Sequence, residues 1–358
     1  MPARGKRGRG ASFNTPNRFE SLHREVFPPD IPGDSAPDDD QRHPALPTRY
    51  YDDASRSVLV RNDSPDIPFT YSLNPYRGCE HGCIYCYARP SHEYLGFSAG
   101  IDFETRIIVK RDAPELLASA LGAKSWVPQV VTLSGNTDPY QPVERKLAIT
   151  RKCLEVFLDF RNPVSIITKN ALVLRDIDIL REMARLEIVH VMLSVTSLDA
   201  GLVRVMEPRT SSPALRLQAV EKLAQAGIPV GVNIAPVIPG LTDEEIPAIL
   251  SAASACGAEA ASYILVKLPG SVRELFLEWL ERELPGKKER ILNRIRDARG
   301  GQLNDPRFHT RQSGEGEIAS AVSSLFALSA ARAGIRGRWP ALSPAKFRKR
   351  ALGQGELF

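Results

Sequence analysis

The chain lacks the features of a membrane or exported protein. No apolar run in its 358 residues approaches the roughly 20 residues that span a bilayer. The first residues, MPARGKRGRG, contain no apolar signal segment, which argues against export. Cysteine is scarce, and three of the five cysteines lie together, so a disulfide framework is not expected. These absences predict a protein of the reducing cytoplasm.

Acidic side chains are missing from two terminal segments. The net charge is only +5, yet residues 1–10 (MPARGKRGRG) and 346–350 (KFRKR) contain only basic and neutral side chains. Basic segments attract the phosphates of nucleic acids, or another polyanion, without reading sequence. Solvated tails that aid solubility explain the same residues equally well.

Three cysteines lie within eight residues, in the segment Gly78–Tyr87 (GCEHGCIYCY). Cys79, Cys83 and Cys86 have the spacing Cys-x3-Cys-x2-Cys, which lets three thiolates converge on one metal centre. Iron–sulfur clusters are held by cysteine thiolates, usually four per cubane, so three ligands would leave one iron open to another molecule. The alternative is a tetrahedral zinc site, in which His81 could supply the fourth ligand.

From residue 68 onward, short runs rich in valine and isoleucine alternate with longer amphipathic segments. This alternation predicts an α/β fold with a parallel sheet and right-handed crossovers. The predicted strands are 68–73, 129–134, 164–168, 189–195, 229–235 and 261–266. The predicted helices are 113–122, 142–160, 171–186, 213–226, 243–256, 271–283, 287–299 and 315–334. A doubly wound sheet and a partial (βα)6 barrel both fit, and both place the cysteine loop at the carboxyl ends of the strands.

Composition divides the chain into four segments. Residues 1–67, rich in Pro, Asp and Arg, are expected to form a mostly irregular leader with short docked pieces such as Ser57–Val60. The partial barrel would span residues 68–268. A helical extension is expected over 269–340, followed by a basic flexible tail over 341–358.

The cysteine spacing and the Tyr-Cys-Tyr ending resemble the radical S-adenosylmethionine (radical SAM) superfamily. The usual fold of that superfamily is a six-strand partial (βα) barrel, which agrees with the number of predicted strands. The resemblance implies a [4Fe–4S] cluster on Cys79, Cys83 and Cys86, with S-adenosylmethionine bound to the open iron. It also implies a one-electron donor, a flavodoxin or ferredoxin, and cleavage of the cofactor to a 5′-deoxyadenosyl radical that abstracts hydrogen from a substrate.

Polar residues at successive strand ends are the expected contacts of S-adenosylmethionine. In the superfamily, the segment after the second strand contacts the amino group of the cofactor, and a nearby cation can pair with its carboxylate. Asparagine on the fifth strand could bond the ribose, while an apolar residue after it and an aromatic residue before the third cysteine could face the adenine. The expected cofactor-binding residues are therefore Tyr85, Ser134, Gly135, Asn136, Asp138, Lys169, Ser194, Thr196, Arg209, Asn233 and Ile238.

Tyr85 and Tyr87 flank the third cysteine, and this pair resembles spore photoproduct lyase, a DNA-repair member of the superfamily. Tyrosines at these places serve hydrogen transfer there, so both are candidate catalytic residues here. The stretch Thr137–Glu144 (TDPYQPVE) also resembles the wider group of proteins similar to that lyase. The hydrogen-donating cysteine of the lyase is absent, because Gly135 stands near the matching position. Repair of that photoproduct by the known route is therefore not expected.

The leading interpretation is a radical SAM enzyme that modifies or repairs a polyanionic substrate such as DNA or RNA. The alternatives are an iron–sulfur sensor that binds nucleic acid without radical chemistry, and a structural zinc protein. The segment Gln354–Phe358 (QGELF) resembles the peptides by which bacterial replication and repair proteins dock on the sliding clamp. An ordinary frayed terminus would have the same composition.

Overall fold

The computed structural model describes residues 6, 8–19, 46–335, 339 and 341–349. Within these residues the strands are β1 (Arg49–Asp52), β2 (Leu59–Arg61), β3 (Tyr71–Leu73), β4 (Tyr76–Arg77), β5 (Arg106–Val109), β6 (Val131–Leu133), β7 (Val164–Thr168), β8 (Val189–Ser194), β9 (Val230–Val237) and β10 (Ala260–Leu265). The α-helices are α1 (Ile101–Thr105), α2 (Ala113–Gly122), α3 (Glu144–Leu147), α4 (Ile149–Phe160), α5 (Ile177–Arg185), α6 (Ala200–Met206), α7 (Pro213–Gln225), α8 (Ile246–Ala255), α9 (Ser271–Glu283), α10 (Lys288–Asp297), α11 (Thr310–Ser313) and α12 (Gly316–Arg332). None of these helices is long and apolar enough to cross a membrane.

The parallel sheet confirms the predicted α/β fold. Its strands lie in the order β3, β6, β7, β8, β9 and β10, each parallel to the next, and β2 extends the β3 edge in the antiparallel direction. A doubly wound sheet reverses its strand order at a switch point, whereas this order follows the chain throughout. The arrangement is therefore that of a partial barrel, with the carboxyl ends of the parallel strands at one edge.

Apolar strands form the centre of this sheet because helices cover its outer face. Val164 and Ile166 of β7 are fully buried, as are the alternate residues of the strands on either side. Helix α4 packs against them with Leu154 and Phe157, which lie on one side of the helix. Burial of each such side chain contributes about 1.5–3 kcal/mol, so the layer of helices over the strands fixes where the strand ends lie.

The leader is irregular over most of its described length, but parts of it pack on the barrel. β1 pairs in parallel with β5, and β4 pairs with the other edge of β5, which gives a second sheet of three strands. β2, which overlaps the expected docked piece Ser57–Val60, joins the main sheet. β5 was not predicted, because its four residues follow α1 directly and no turn residue separates the two elements.

Helix bounds differ from prediction at a few places. The predicted helix 142–160 is two helices, since Ala148 has a positive φ of 52° that ends α3 and begins α4. The predicted helix 171–186 begins as a 3-10 helix over Ala171–Asp176, and α6 was not predicted. Helix α12 packs on α8 beside β10, so the helical extension continues the outer helical layer.

Candidate active site at the carboxyl edge of the sheet

The three clustered cysteines are free thiols in a buried loop. Cys79 and Cys83 are each only 7% exposed, and Cys86 is half-buried. Burial raises the pKa of all three thiols, and the pKa values of Cys79 and Cys83 are raised further by neighbouring cysteines. In the described residues no three His, Cys, Asp or Glu side chains are placed to hold a single metal ion. Ligands of a cubane bind different iron atoms, so three neighbouring thiols with no disulfide partner are a donor set that fits such a cluster.

Two glycines allow the cysteine loop to fold this tightly. Gly78 and Gly82 have positive φ values of 76° and 68°, which other residues rarely adopt. A Cβ atom at Gly82 would lie 2.7 Å from Glu104 Oε2, and one at Gly78 would lie 3.0 Å from the Phe103 carbonyl oxygen. The loop is therefore pressed against α1 and the residues around it.

A buried arginine fixes the carbonyl groups of the loop. Arg89 is fully buried and donates to the carbonyl oxygens of Gly82 at 3.2 Å and Cys83 at 3.0 Å. Its charge is balanced by Glu104, also fully buried, at 2.6 Å. Neither residue was selected from the sequence, although Arg89 follows the third cysteine by three positions.

Another buried carboxylate, Glu80, anchors the loop between its first two cysteines. It accepts hydrogen bonds from Val143 N at 2.7 Å, from Thr48 Oγ1 at 3.0 Å and from Tyr50 OH at 3.2 Å. Arg209, which was expected to meet the carboxylate of the cofactor, pairs with Glu80 at 3.2 Å. Arg209 therefore supports the loop in this structure.

Tyr85 points into a buried polar network below the loop. Its hydroxyl group donates to Glu207, which pairs with the fully buried Arg216. Thr196 Oγ1 donates to the same carboxylate at 2.7 Å. Burial alone would raise the pKa of Glu207, but Arg216 and Lys169 outweigh it and lower that pKa to about 2. Glu207 is therefore a carboxylate that holds Tyr85 in place.

Lys169 connects the ends of β7 and β9. It lies one residue after β7, and its Nζ donates to Ala235 O of β9 at 2.7 Å and lies 3.7 Å from Glu207 Oε1. Its Nζ is also 5.8 Å from the centroid of the Tyr85 ring. The structure thus places Tyr85, Lys169 and Thr196 close together around Glu207.

Asp138 uses its carboxylate to connect the loop after β6 with its neighbours. It accepts from Thr168 Oγ1 and from Lys169 N, each at 2.7 Å, and its Oδ2 lies 3.4 Å from His81 Nδ1. Burial raises the pKa of Asp138, but His81 and these hydrogen bonds lower it overall. The other ring nitrogen of His81 lies 3.1 Å from Asn170 Nδ2, so His81 is held by Asp138 and Asn170.

The loop after β6 also contacts Tyr87. Ser134 and Gly135 have positive φ values of 141° and 104°, and the Tyr87 hydroxyl group donates to the Gly135 carbonyl oxygen. Asn136 Nδ2 donates to Ser91 Oγ at 3.2 Å. Tyr87 is 48% exposed, whereas Tyr85 is 6% exposed. The two tyrosines therefore lie on different sides of the third cysteine, one buried and one open.

The remaining predicted residues lie on or just after β8 and β9. Ser194 and Asn233 are paired in register on β8 and β9, and Asn233 Oδ1 accepts from Ser262 Oγ at 3.1 Å. Ile238, one residue after β9, is fully buried in the apolar cluster that contains Cys83 and Tyr85. Of these three residues, Ile238 therefore packs with the cysteine loop.

Three comparisons with known proteins agree with this arrangement. The radical SAM superfamily model matches residues 73–253, half of the chain. An uncharacterized protein of Mycobacterium tuberculosis strain H37Rv is 38% identical over 221 residues, and one of Methanocaldococcus jannaschii is 31% identical over 175 residues. These matches cover 61% and 49% of this chain, and the chain spans 65% and 63% of the lengths of those relatives.

Among solved structures, spore photoproduct lyase complexed with dinucleoside spore photoproduct superposes with a TM-score of 0.57 at 16% identity, over 80% of each chain. Such a likeness shows the fold. The family match, with the three-cysteine loop at the carboxyl edge of a parallel six-strand sheet, shows that the chain belongs to the radical SAM superfamily.

Proposed function

We propose that the protein is an enzyme that cleaves S-adenosylmethionine reductively and uses the 5′-deoxyadenosyl radical to modify or repair a nucleic acid. Cys79, Cys83 and Cys86 would hold a [4Fe–4S] cluster, which supplies the electron for that cleavage when it is bound. The observation that carries the proposal is the convergence of this loop with Lys169 and Thr196 from two strand ends.

The residues around the loop would hold the cofactor in two ways. Residues whose side chains bind the cysteine loop itself would position that loop, and the other predicted residues would contact the cofactor. Ser134, Gly135, Asn136, Lys169, Ser194, Thr196, Asn233, Ile238 and Tyr85 are the proposed direct contacts. We assign Asp138 and Arg209 mainly to positioning, because their side chains bind His81 and Glu80 of the loop.

Tyr85 and Tyr87 are assigned different roles. Tyr85 is held by Glu207 beside Lys169, so we propose that its ring borders the cofactor. Tyr87 is half-exposed next to Gly135, where the resemblance to the lyase places a hydrogen donor. Tyr87 is therefore the proposed hydrogen-transfer residue facing the substrate.

The proposed nucleic-acid substrate rests on the residues near Tyr87. The Lys267 ammonium lies over the Tyr87 ring, and Arg311 lies close to that ammonium. Exposed aromatic rings and cations suit bases and phosphates. The basic N-terminal segment does not add to this surface through Arg9, which is buried and donates to the Glu104 and Leu46 carbonyl oxygens.

Two expected partners stay predictions. The sliding-clamp peptide Gln354–Phe358 lies outside the described residues, as do residues 1–5, 7 and 350 of the basic ends. An external flavodoxin or ferredoxin remains the expected electron donor.

The test is anaerobic reconstitution followed by an assay for 5′-deoxyadenosine, with and without added single-stranded DNA or RNA. The proposal expects 5′-deoxyadenosine from the reduced, cluster-replete protein, and more of it when the substrate nucleic acid is present. A cluster-replete protein that yields none with any reductant would instead support the sensor function.

A further inference from the structure

Lys267 occupies the mouth of the site, and no described residue gives it an acidic partner. It lies two residues beyond β10, at the same edge as the cysteine loop. Its Nζ is 4.6 Å from the centroid of the Tyr87 ring and 3.2 Å from Gln312 Oε1. Among the described residues, no carboxylate forms an ion pair with this ammonium. The half-buried ammonium of Lys267 thus contacts one aromatic ring and one neutral amide.

The neighbours of Lys267 add positive charge. Burial, together with the nearby Arg311 and Arg299, lowers the pKa of Lys267 to about 8. Asp66, whose charge acts on Lys267, is held by Arg311 through two hydrogen bonds. Arg299 donates to four backbone carbonyl oxygens, including those of Leu265 and Val266. The mouth therefore carries more cations than carboxylates.

The segment His309–Gln312 spans the open side of the barrel. Arg311 reaches Asp66 in the connection between β2 and β3, and His309 N donates to the same carboxylate at 3.1 Å. Gln312 meets Lys267 beyond β10, at the opposite edge of the sheet. The cationic mouth is thus enclosed by protein and lies beside Tyr87, where a substrate would enter.

We propose that Lys267 and Gln312 form an oxyanion subsite that binds a phosphodiester of a single-stranded nucleic acid and places the adjoining nucleotide on Tyr87. The proposal rests on the proposed function, because it assigns a substrate contact to that site. A phosphate would supply the negative charge that Lys267 lacks, and the half-exposed Tyr87 ring offers a face for a base.

Binding of a fluorescein-labelled oligothymidylate to the full, cluster-reconstituted chain tests the subsite. Lys267→Met should weaken binding by about tenfold and make the affinity less dependent on salt, because one phosphate contact is lost. Lys267→Arg should restore most of the affinity. Lys222→Met, which removes an exposed lysine of α7, is the matched control and should bind as the wild type does.

Competition identifies the source of the oxyanion. Unlabelled oligothymidylate should compete far better than thymidine monophosphate or inorganic phosphate. Equal binding by wild type and Lys267→Met, or equal competition by an acidic peptide, would overturn the proposal. Formation of 5′-deoxyadenosine by the wild type, measured in parallel, tests the proposed function separately.

A second, independent feature is the N-terminal strap, residues 9–18, which lies on the cysteine loop. Gly10 N and Ala11 N donate to the Glu104 carboxylate at 3.1 and 2.9 Å, and this is the carboxylate that pairs with Arg89. A Cβ atom at Gly10 would overlap the Gly82 carbonyl oxygen. The strap thus contacts the loop between its first two cysteines.

The rest of the strap is fastened beyond the loop. Asn14 exchanges two hydrogen bonds with Asp102, and Asn17 Nδ2 donates to Glu93 O at 2.9 Å. Ala11 is fully buried in the apolar cluster that contains Cys83. The strap therefore contributes to the burial of Cys83, which is 7% exposed.

We infer that the strap is a cover for the metal centre that limits the access of solvent to the cysteine loop. Its residues position the loop and bind no ligand themselves. Gly10→Val should lift the strap, because the added side chain meets the Gly82 carbonyl group. Iron should then pass to a ferrous chelator about tenfold faster, since the two hydrogen bonds to Glu104 no longer oppose local opening.

The control for Gly10→Val is Gly8→Asn. Gly8 has a positive φ of 69°, which asparagine tolerates, and nothing lies within 4 Å of a Cβ there, so iron release should not change. If Gly10→Val fails to fold, the milder Asn14→Ala, which loosens the strap at Asp102, should still speed iron release. The fall in Tm of Asn14→Ala should be smaller than its effect on iron release would require if the whole protein were destabilised. Wild-type release rates in both variants would overturn the inference.

Discussion

The two halves of the site differ in how their charges are matched. Around the cysteine loop, each of three buried carboxylates has an arginine partner: Glu80 with Arg209, Glu104 with Arg89, and Glu207 with Arg216. At the mouth, Lys267 has no such partner among the described residues. Carboxylates that are all paired with arginines keep the cysteine loop in one geometry, which suits a cofactor that is the same in every reaction cycle. A mouth with surplus charge favours a ligand that brings the opposite charge with it.

The largest expected effect comes from the loop half. Cys83→Ala removes one thiolate ligand, so the visible absorption of the reconstituted cluster should be lost. Cys153→Ala removes a fully buried cysteine of α4 outside the loop and should keep that absorption. Iron content and the absorption spectrum after anaerobic reconstitution check both variants. Zinc in the wild type and no iron would contradict the assignment.

Breaking one buried pair should destabilise the protein strongly. Arg216→Met leaves the Glu207 carboxylate buried beside Tyr85 without its guanidinium, at a cost of about 3–5 kcal/mol in the free energy of unfolding. Arg290→Met removes an exposed pair with Glu244 and should change that free energy by at most about 1 kcal/mol. Urea unfolding of the metal-free chains measures both. Equal decreases in the free energy of unfolding of the two variants would show that the buried Arg216–Glu207 pair does not stabilise the fold more than an exposed pair does.

Acid should weaken the loop half through a buried histidine. Burial lowers the pKa of His92 to about 4, against an ordinary value of 6.5. Between these values the unfolded chain binds a proton that the folded chain does not, so stability should fall as pH falls from 6.5 to 4. The loss due to His92 is up to about 3 kcal/mol. His92→Phe should flatten the fall, whereas His309→Asn, an exposed histidine, should not.

Urea unfolding curves of the metal-free wild type, His92→Phe and His309→Asn, measured at several pH values between 6.5 and 4, give the free energies to compare. His190, whose pKa burial also lowers to about 4, should account for much of the remaining dependence. A His92→Phe curve parallel to that of the wild type would show that His92 does not contribute.

The sequence predicted the parts of the molecule that local patterns describe. Five of the six parallel strands contain valine or isoleucine, whereas β3 (YSL) contains neither, and the cysteine loop follows from its spacing. Glu207 was not among the predicted site residues, because it meets Tyr85 from 122 positions away and no local pattern signals that pairing. β1 was missed for a similar reason, since four exposed residues pair with a distant β5.

Charge in the sequence did not reveal its partners. The basic N-terminal segment was compatible with a nucleic-acid arm or a solvated tail, and one of its residues, Arg9, is 7% exposed and donates to backbone carbonyl groups. Sequence composition shows that a charged residue is present, but it does not show which groups that residue contacts. Lys267, in contrast, lies in an unremarkable stretch of sequence, and only the fold places it over Tyr87.

We expect the loop half to hold a cluster and S-adenosylmethionine for radical formation. The decisive experiment is anaerobic reduction of the cluster-replete wild type with S-adenosylmethionine, followed by chromatography for 5′-deoxyadenosine. The wild type should form 5′-deoxyadenosine, and Cys83→Ala should form none. A fully loaded, reduced wild-type protein that leaves S-adenosylmethionine intact, with or without nucleic acid, would contradict it.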